Sequence, residues 1–128
     1  IRQIDNRVNY EELQDELIDR FGEYPDVVAY LLEIGLAKAY LDKVFVNRVE
    51  RRNNKLVIQF EKISQQLFLT QDYFQALSQT NLKANISENQ GLIEVVFDIR
   101  NKKDYEILEG LLTFGESLAK IKESKESH

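Results

Sequence analysis

The sequence predicts an α+β domain: two N-terminal helices, then two β-hairpins forming an antiparallel sheet of about four strands, with a short helix between the hairpins and a C-terminal helix (ααββαββα). Three observations lead there. Apolar residues recur at helical spacing before residue 43 and again after residue 104. Between them lie two pairs of β-branched, alternating runs, each pair joined by a short turn-forming segment. The strands come in adjacent pairs and do not alternate with helices, so the sheet is antiparallel and no βαβ crossover is expected.

Composition sets the bounds. At 128 residues the chain is one domain, 1–128. Such a chain buries about two-thirds of its unfolded surface and needs no covalent staple. It has no cysteine, which excludes a disulfide framework, a thiol nucleophile and a Cys-ligated metal, and suits a reducing cytoplasm. No apolar run approaches the ~20 residues of a membrane span. The chain opens on Ile1 in mid-pattern, as expected for a fragment of a larger multidomain protein. The net charge of −5 argues against a dedicated phosphate-binding surface. That charge is uneven: residues 1–43 hold ten acidic and five basic residues, residues 44–62 two acidic and five basic.

In chain order, residues 1–8 continue a segment from upstream. Asn9 reads as an N-cap with Glu12 as its capping-box partner, and Val8 and Leu13 take the staple positions around it. Helix one then runs about Tyr10–Phe21, with Leu13, Leu17 and Phe21 toward a core. Gly22 follows at a position that calls for positive φ. Pro25 fits the first position of helix two, which runs to about Lys43. Its stripe of Val28, Leu31, Leu32, Gly35 and Ala39, widened by Ile34 and Leu41, is apolar enough to be largely buried. Gly35 and Ala39 would admit a close backbone neighbour.

Val44–Glu50 and Leu56–Phe60 form the first hairpin, with Asn53 and Asn54 tolerating the positive φ of a tight turn. Its tip carries Arg48, Arg51, Arg52 and Lys55. Residues 61–69 are ambiguous, with Leu67-Phe68-Leu69 readable as a short strand or as the start of a helix. Thr70 caps a short helix through Ser78, with Tyr73, Phe74 and Leu77 inward. Leu82, Ala84 and Ile86 alternate toward a turn at Glu88–Gly91, and Leu92–Ile99 returns. Asn101 caps the last helix with Asp104 in its first turn. Tyr105, Leu108, Leu111, Leu112, Gly115, Leu118 and Ile121 mark its buried side, and Lys122–His128 is a polar end expected to fray.

A catalytic constellation does not assemble on paper. The only histidine is the terminal His128, and the five glycines are isolated, with no phosphate-cradling loop. Catalytic, metal and cofactor-binding residues are therefore assigned to none. What remains is charge. Glu12, Glu16, Asp19 and Glu23 recur at i, i+4, i+7 and i+11, the spacing of one helical face, with Arg20 the cation beside them. Such a stripe serves either as a solvated face or as a docking face for a basic surface. The basic tip around Arg48–Lys55 offers an alternative, an accessory nucleic-acid contact, though no aromatic is interleaved to stack bases.

The ordered stretch Glu16-Leu17-Ile18-Asp19-Arg20-Phe21-Gly22, then Pro25, then Val28, Leu31 and Leu32, resembles the opening of the C-terminal domain of bacterial transcription-repair coupling factors. The resemblance is sharp over residues 10–45. It implies a regulatory, non-catalytic domain of a cytoplasmic DNA translocase, with ATP and magnesium confined to the parent's motor. It further implies docking on the N-terminal UvrA-binding module of the same protein, and through it indirect links to UvrA, RNA polymerase and nucleotide excision repair. A monomeric domain is expected, with Glu12, Glu16, Asp19 and Glu23 as docking residues and Arg20, Phe21, Gly22 and Pro25 as the turn that sets their position.

Overall fold

The computed structural model describes residues 4–127. Its elements are α1 (Arg7–Phe21), α2 (Asp26–Lys43), β1 (Val46–Arg52), β2 (Lys55–Phe60), α3 (Ser64–Leu67), α4 (Thr70–Leu77), β3 (Lys83–Asn89), β4 (Leu92–Asp98) and α5 (Asp104–Glu126). The four strands form one antiparallel sheet in the order β1-β2-β4-β3, so each hairpin contributes one central and one edge strand. The expected α+β architecture is the one found, with one extra turn of helix, α3, in the segment the sequence left open. Phe68 after it is extended, at φ −119° and ψ 141°.

Alternation along the strands puts Leu56, Ile58 and Phe60 of β2 and Val95 and Phe97 of β4 on one face. α5 covers that face. Phe114 is fully buried and meets Phe60 and Phe97 edge-on, at centroid distances of 6.2 Å and 5.7 Å. α4 closes the side with Tyr73, 5.1 Å from Phe60. The other face of the sheet is polar. Asn47 Nδ2 donates to Gln59 Oε1 (2.8 Å) and Gln59 Nε2 donates to Glu94 Oε2 (2.9 Å), which is how Gln59 and Glu94 tolerate burial.

α2 lies along α5, and Gly115 makes the approach possible. A Cβ there would stand 3.2 Å from both Leu41 Cδ2 and Tyr40 Cβ, tighter than packing allows without a shift. The close contact is thus on α5, whereas the sequence placed it at Gly35 and Ala39; Gly35 instead faces the side chain of Ile4.

Several boundaries move for identifiable reasons. α1 starts three residues early because Asn6, not Asn9, is the N-cap: its side chain accepts from Asn9 N–H (3.0 Å), and Asn9 Oδ1 accepts in return from Asn6 N–H (3.2 Å). Glu12 therefore has no capping-box role. Val8 lies within the helix and is 66% exposed, so the staple with Leu13 does not form. Pro25 is the N-cap of α2, one position earlier than expected, and its carbonyl accepts from Val28 N–H at 2.9 Å. Val44 caps α2 and Phe45 turns the chain at φ 64°, so β1 begins at Val46. Asn53 takes φ 54° in the first turn, while Asn54 is not among the positive-φ residues. Thr70 is the first helical residue of α4, whose start is closed by Asp72 Oδ2 accepting from Leu69 N–H. Asn101 turns the loop at φ 62°, and the cap of α5 is Lys103, whose N–H donates to Glu106. α5 continues through the charged end to Glu126, with Lys122 and Glu126 paired one turn apart. His128 lies outside the described residues.

Candidate functional site

α1 carries the acidic face that the sequence singled out, and it is held to the body at one end. Arg7 grips Glu116 of α5 with two bonds, Nε to Oε2 at 3.0 Å and Nη2 to Oε1 at 2.9 Å. Tyr40 Oη accepts from Arg7 N–H at 2.9 Å and donates to Glu116 Oε2 at 3.4 Å. The Arg7 guanidinium holds the Glu116 carboxyl below the usual carboxylate range, and burial pushes the Tyr40 phenol up. Tyr10 is the buried apolar anchor of α1, and Gln14 Nε2 bridges its hydroxyl to that of Tyr24. None of this tie was read from the sequence. A tyrosine and a glutamate 76 residues apart leave no periodic signal.

Toward the other end α1 becomes exposed. Asp19 is exposed and forms no ion pair among the described residues. Glu16 meets Arg20 at 3.4 Å, a surface pair with side chains 39% and 68% exposed and so worth little. Glu12 is also exposed. Glu23 falls outside the face, because α1 ends at Phe21 and the backbone reverses at Gly22 before reaching it. Gly22 has φ 72° as expected, with its N–H donated to Ile18 O at 2.8 Å. The expectation for Phe21 fails. It was assigned to the core and is 74% exposed, beside Ile18 at 48%.

The same correction applies to the first half of α2. Val27 is 62% exposed, Leu31 60%, Ile34 39% and Tyr30 37%, whereas burial is confined to Leu36, Ala37, Tyr40 and Leu41. Val28 and Leu32 are half-buried, Leu32 against the core, so it is the side carrying Val27, Tyr30, Leu31 and Ile34 that is left exposed. Phe74 of α4 and Tyr105 of α5, both expected inward, are likewise exposed.

The basic hairpin is less basic than its composition. Arg52 bonds Glu50 at 2.9 Å, Arg48 lies 3.9 Å from Glu50 and Arg51 lies 3.6 Å from Asp104. The Arg52 guanidinium holds the Glu50 carboxyl below its ordinary value. By register Arg48 and Arg52 pair with Gln59 and Lys55, and Arg51 with Leu56, so the cations are divided between the two faces of the sheet.

Among the described residues no group of three or more acidic or histidine side chains is placed to hold a metal ion, and no helix is long and apolar enough to cross a membrane. The class is a small α+β domain with a polar outer sheet face and a charge-patterned helical hairpin. A family model described as the TRCF domain matches residues 1–71. A crystal structure described as the C-terminal domain of transcription-repair coupling factor is 80% identical, with a TM-score of 0.91 over 96% of this chain and 76% of that one. The chain belongs to this family, the C-terminal domains of transcription-repair coupling factors. Comparison with curated proteins gave no match.

Proposed function

We propose that this domain is a non-catalytic regulatory module that docks, through the outward face of α1, on the N-terminal UvrA-binding module of its own polypeptide. In that arrangement it restrains a cytoplasmic DNA translocase in a closed state until the parent engages a stalled RNA polymerase and recruits nucleotide excision repair through UvrA. The observation that carries this reading is Asp19, exposed and without an ion pair among the described residues, three residues from a weakly paired Glu16 near the C-terminal end of α1. A helix C-terminus is already partly negative, so acids there are unfavourable for the isolated domain and are better matched by arginines of a partner. The domain itself acts as a monomer without cofactor; ATP and magnesium belong to the parent's motor.

The nucleic-acid reading of the hairpin at 48–55 finds less support, since its arginines are paired with Glu50 and Asp104 and split between two faces. The test is UvrA binding by the full-length protein, wild type against Glu16→Ala with Asp19→Ala, with circular dichroism as the folding control. Tighter UvrA binding by a correctly folded double variant is the expected result. Equal affinity would return the acidic face to a solvated surface.

A further inference from the structure

The uncovered stripe on α2 is continuous with a groove. Val27, Tyr30, Leu31 and Ile34 follow the spacing i, i+3, i+4, i+7, which is how one helix presents a seam to another. Tyr30 and Ile34 also line a cavity of about 420 Å³ together with Val49 of β1 and Ile107 and Leu111 of α5. A volume of this size, lined mainly by apolar groups and sharing Tyr30 and Ile34 with the seam, accepts large aliphatic side chains.

We infer that this seam and groove form a second docking surface, and that its occupant is a cationic amphipathic helix of a partner protein. Shape sets the apolar side of the occupant, since a helical seam is met by another helix with the same spacing. Charge sets its flanks. Residues 22–36, the segment that carries the seam, hold three acidic residues and no basic one. Glu23 and Asp26 precede the seam and Glu33 lies within it. The groove wall itself is close to balanced, with Lys38, Arg48 and Arg51 beside Asp42 and Asp104, and Arg51 lies 3.6 Å from Asp104, so the acidic flank of the seam sets the sign. A second copy of this chain would bring the same acidic excess against itself and is disfavoured. The inference shares with the proposed function only the premise that the domain docks proteins; its contact residues are different.

The test uses the 128-residue chain and three synthetic helices of roughly 18 residues, long enough to cover the seam. The first has leucines at i, i+3, i+4 and i+7 with lysine flanks. The second keeps the leucines and has glutamate flanks. The third has the composition of the first in an order that scatters the leucines. At about 0.1 M salt the first should bind at least about ten-fold tighter than either control. Amide shifts should fall on Val27–Ile34 and Val46–Val49. Leu31→Ser with Ile34→Ser, both exposed positions, should remove that preference while circular dichroism stays unchanged.

Equal binding of the scattered peptide would reduce the effect to bulk charge and overturn the inference. Preference for the glutamate helix, no binding, shifts elsewhere, or self-association abolished by the serine variant would overturn it too. Glu16→Ala with Asp19→Ala supplies the independent arm. If that variant leaves UvrA binding unchanged in the full-length protein while the lysine helix still seats on the seam, the proposed function fails and this inference stands.

Discussion

Two regions of this domain are about equally apolar in sequence and meet opposite fates. Around the sheet, Phe60, Phe97, Phe114 and Leu118 are completely buried. In the helical hairpin, Ile18, Phe21, Val27 and Leu31 remain between 48% and 74% exposed. The difference is what stands opposite. The sheet face has α5 across it, joined by aromatic edges, whereas α1 is tied to the body through Arg7, Tyr10 and Tyr40 at its first turns and extends beyond them. Periodicity states which side of a helix is apolar; it does not state whether a second surface is present to cover it.

The sharpest way to break this contrast is to truncate one aromatic from each region. Phe114→Ala should cost about 3–5 kcal/mol, the range for a buried phenylalanine whose cavity cannot collapse. Phe21→Ala should stay within about 0.5 kcal/mol. Denaturant midpoints for both variants check this, and a comparable loss at Phe21 would mean that the hairpin packs far more tightly than its exposure indicates.

A smaller effect is expected at the turn. Gly22→Val should destabilise by more than about 1 kcal/mol, because a β-branched residue is strained at positive φ. Nothing lies within 4 Å of the position a Cβ would take, so the cost is backbone strain alone. An unchanged midpoint would show that the turn relaxes freely.

The smallest effect concerns the tie. Glu116→Gln should cost about 1 kcal/mol or less at neutral pH, because the Arg7 side chain is 41% exposed and water screens the pair. The Glu116 carboxyl is held low when folded, so its contribution is complete above the unfolded value of about 4.3 and is lost as pH falls through the folded value. Wild type should therefore lose more stability than the variant on acidification. Parallel curves would sink this account of the tie.

These contrasts explain what was legible. The antiparallel pairing, the Gly22 turn and the long α5 followed from local chemistry: alternation, a glycine after a helix, a seven-residue apolar stripe. The first cap was misplaced because two asparagines three apart offered the same chemistry, and the reciprocal bonds of Asn6 and Asn9 decide only in three dimensions. Glu16 and Asp19 were readable as a face. Glu23 was separable from it, since it lies beyond the stop that Phe21 and Gly22 mark and the i+11 spacing overran the helix. The groove beside Val49 was invisible, since its α5 wall comes from the far end of the chain and only the fold brings it to α2 and β1.

The strand order has a further meaning for how the chain reaches this state. Each hairpin closes on itself across a short turn, but the seam between β2 and β4 joins the two and has no turn to hold it. Phe114 spans that seam, touching Phe60 on one side and Phe97 on the other. α5 follows both hairpins in the chain, so Phe60 and Phe97 gain the aromatic ring that bridges them only once α5 is in place. An order in which the bridging helix comes last is one that leaves apolar sheet surface open to association before the core closes.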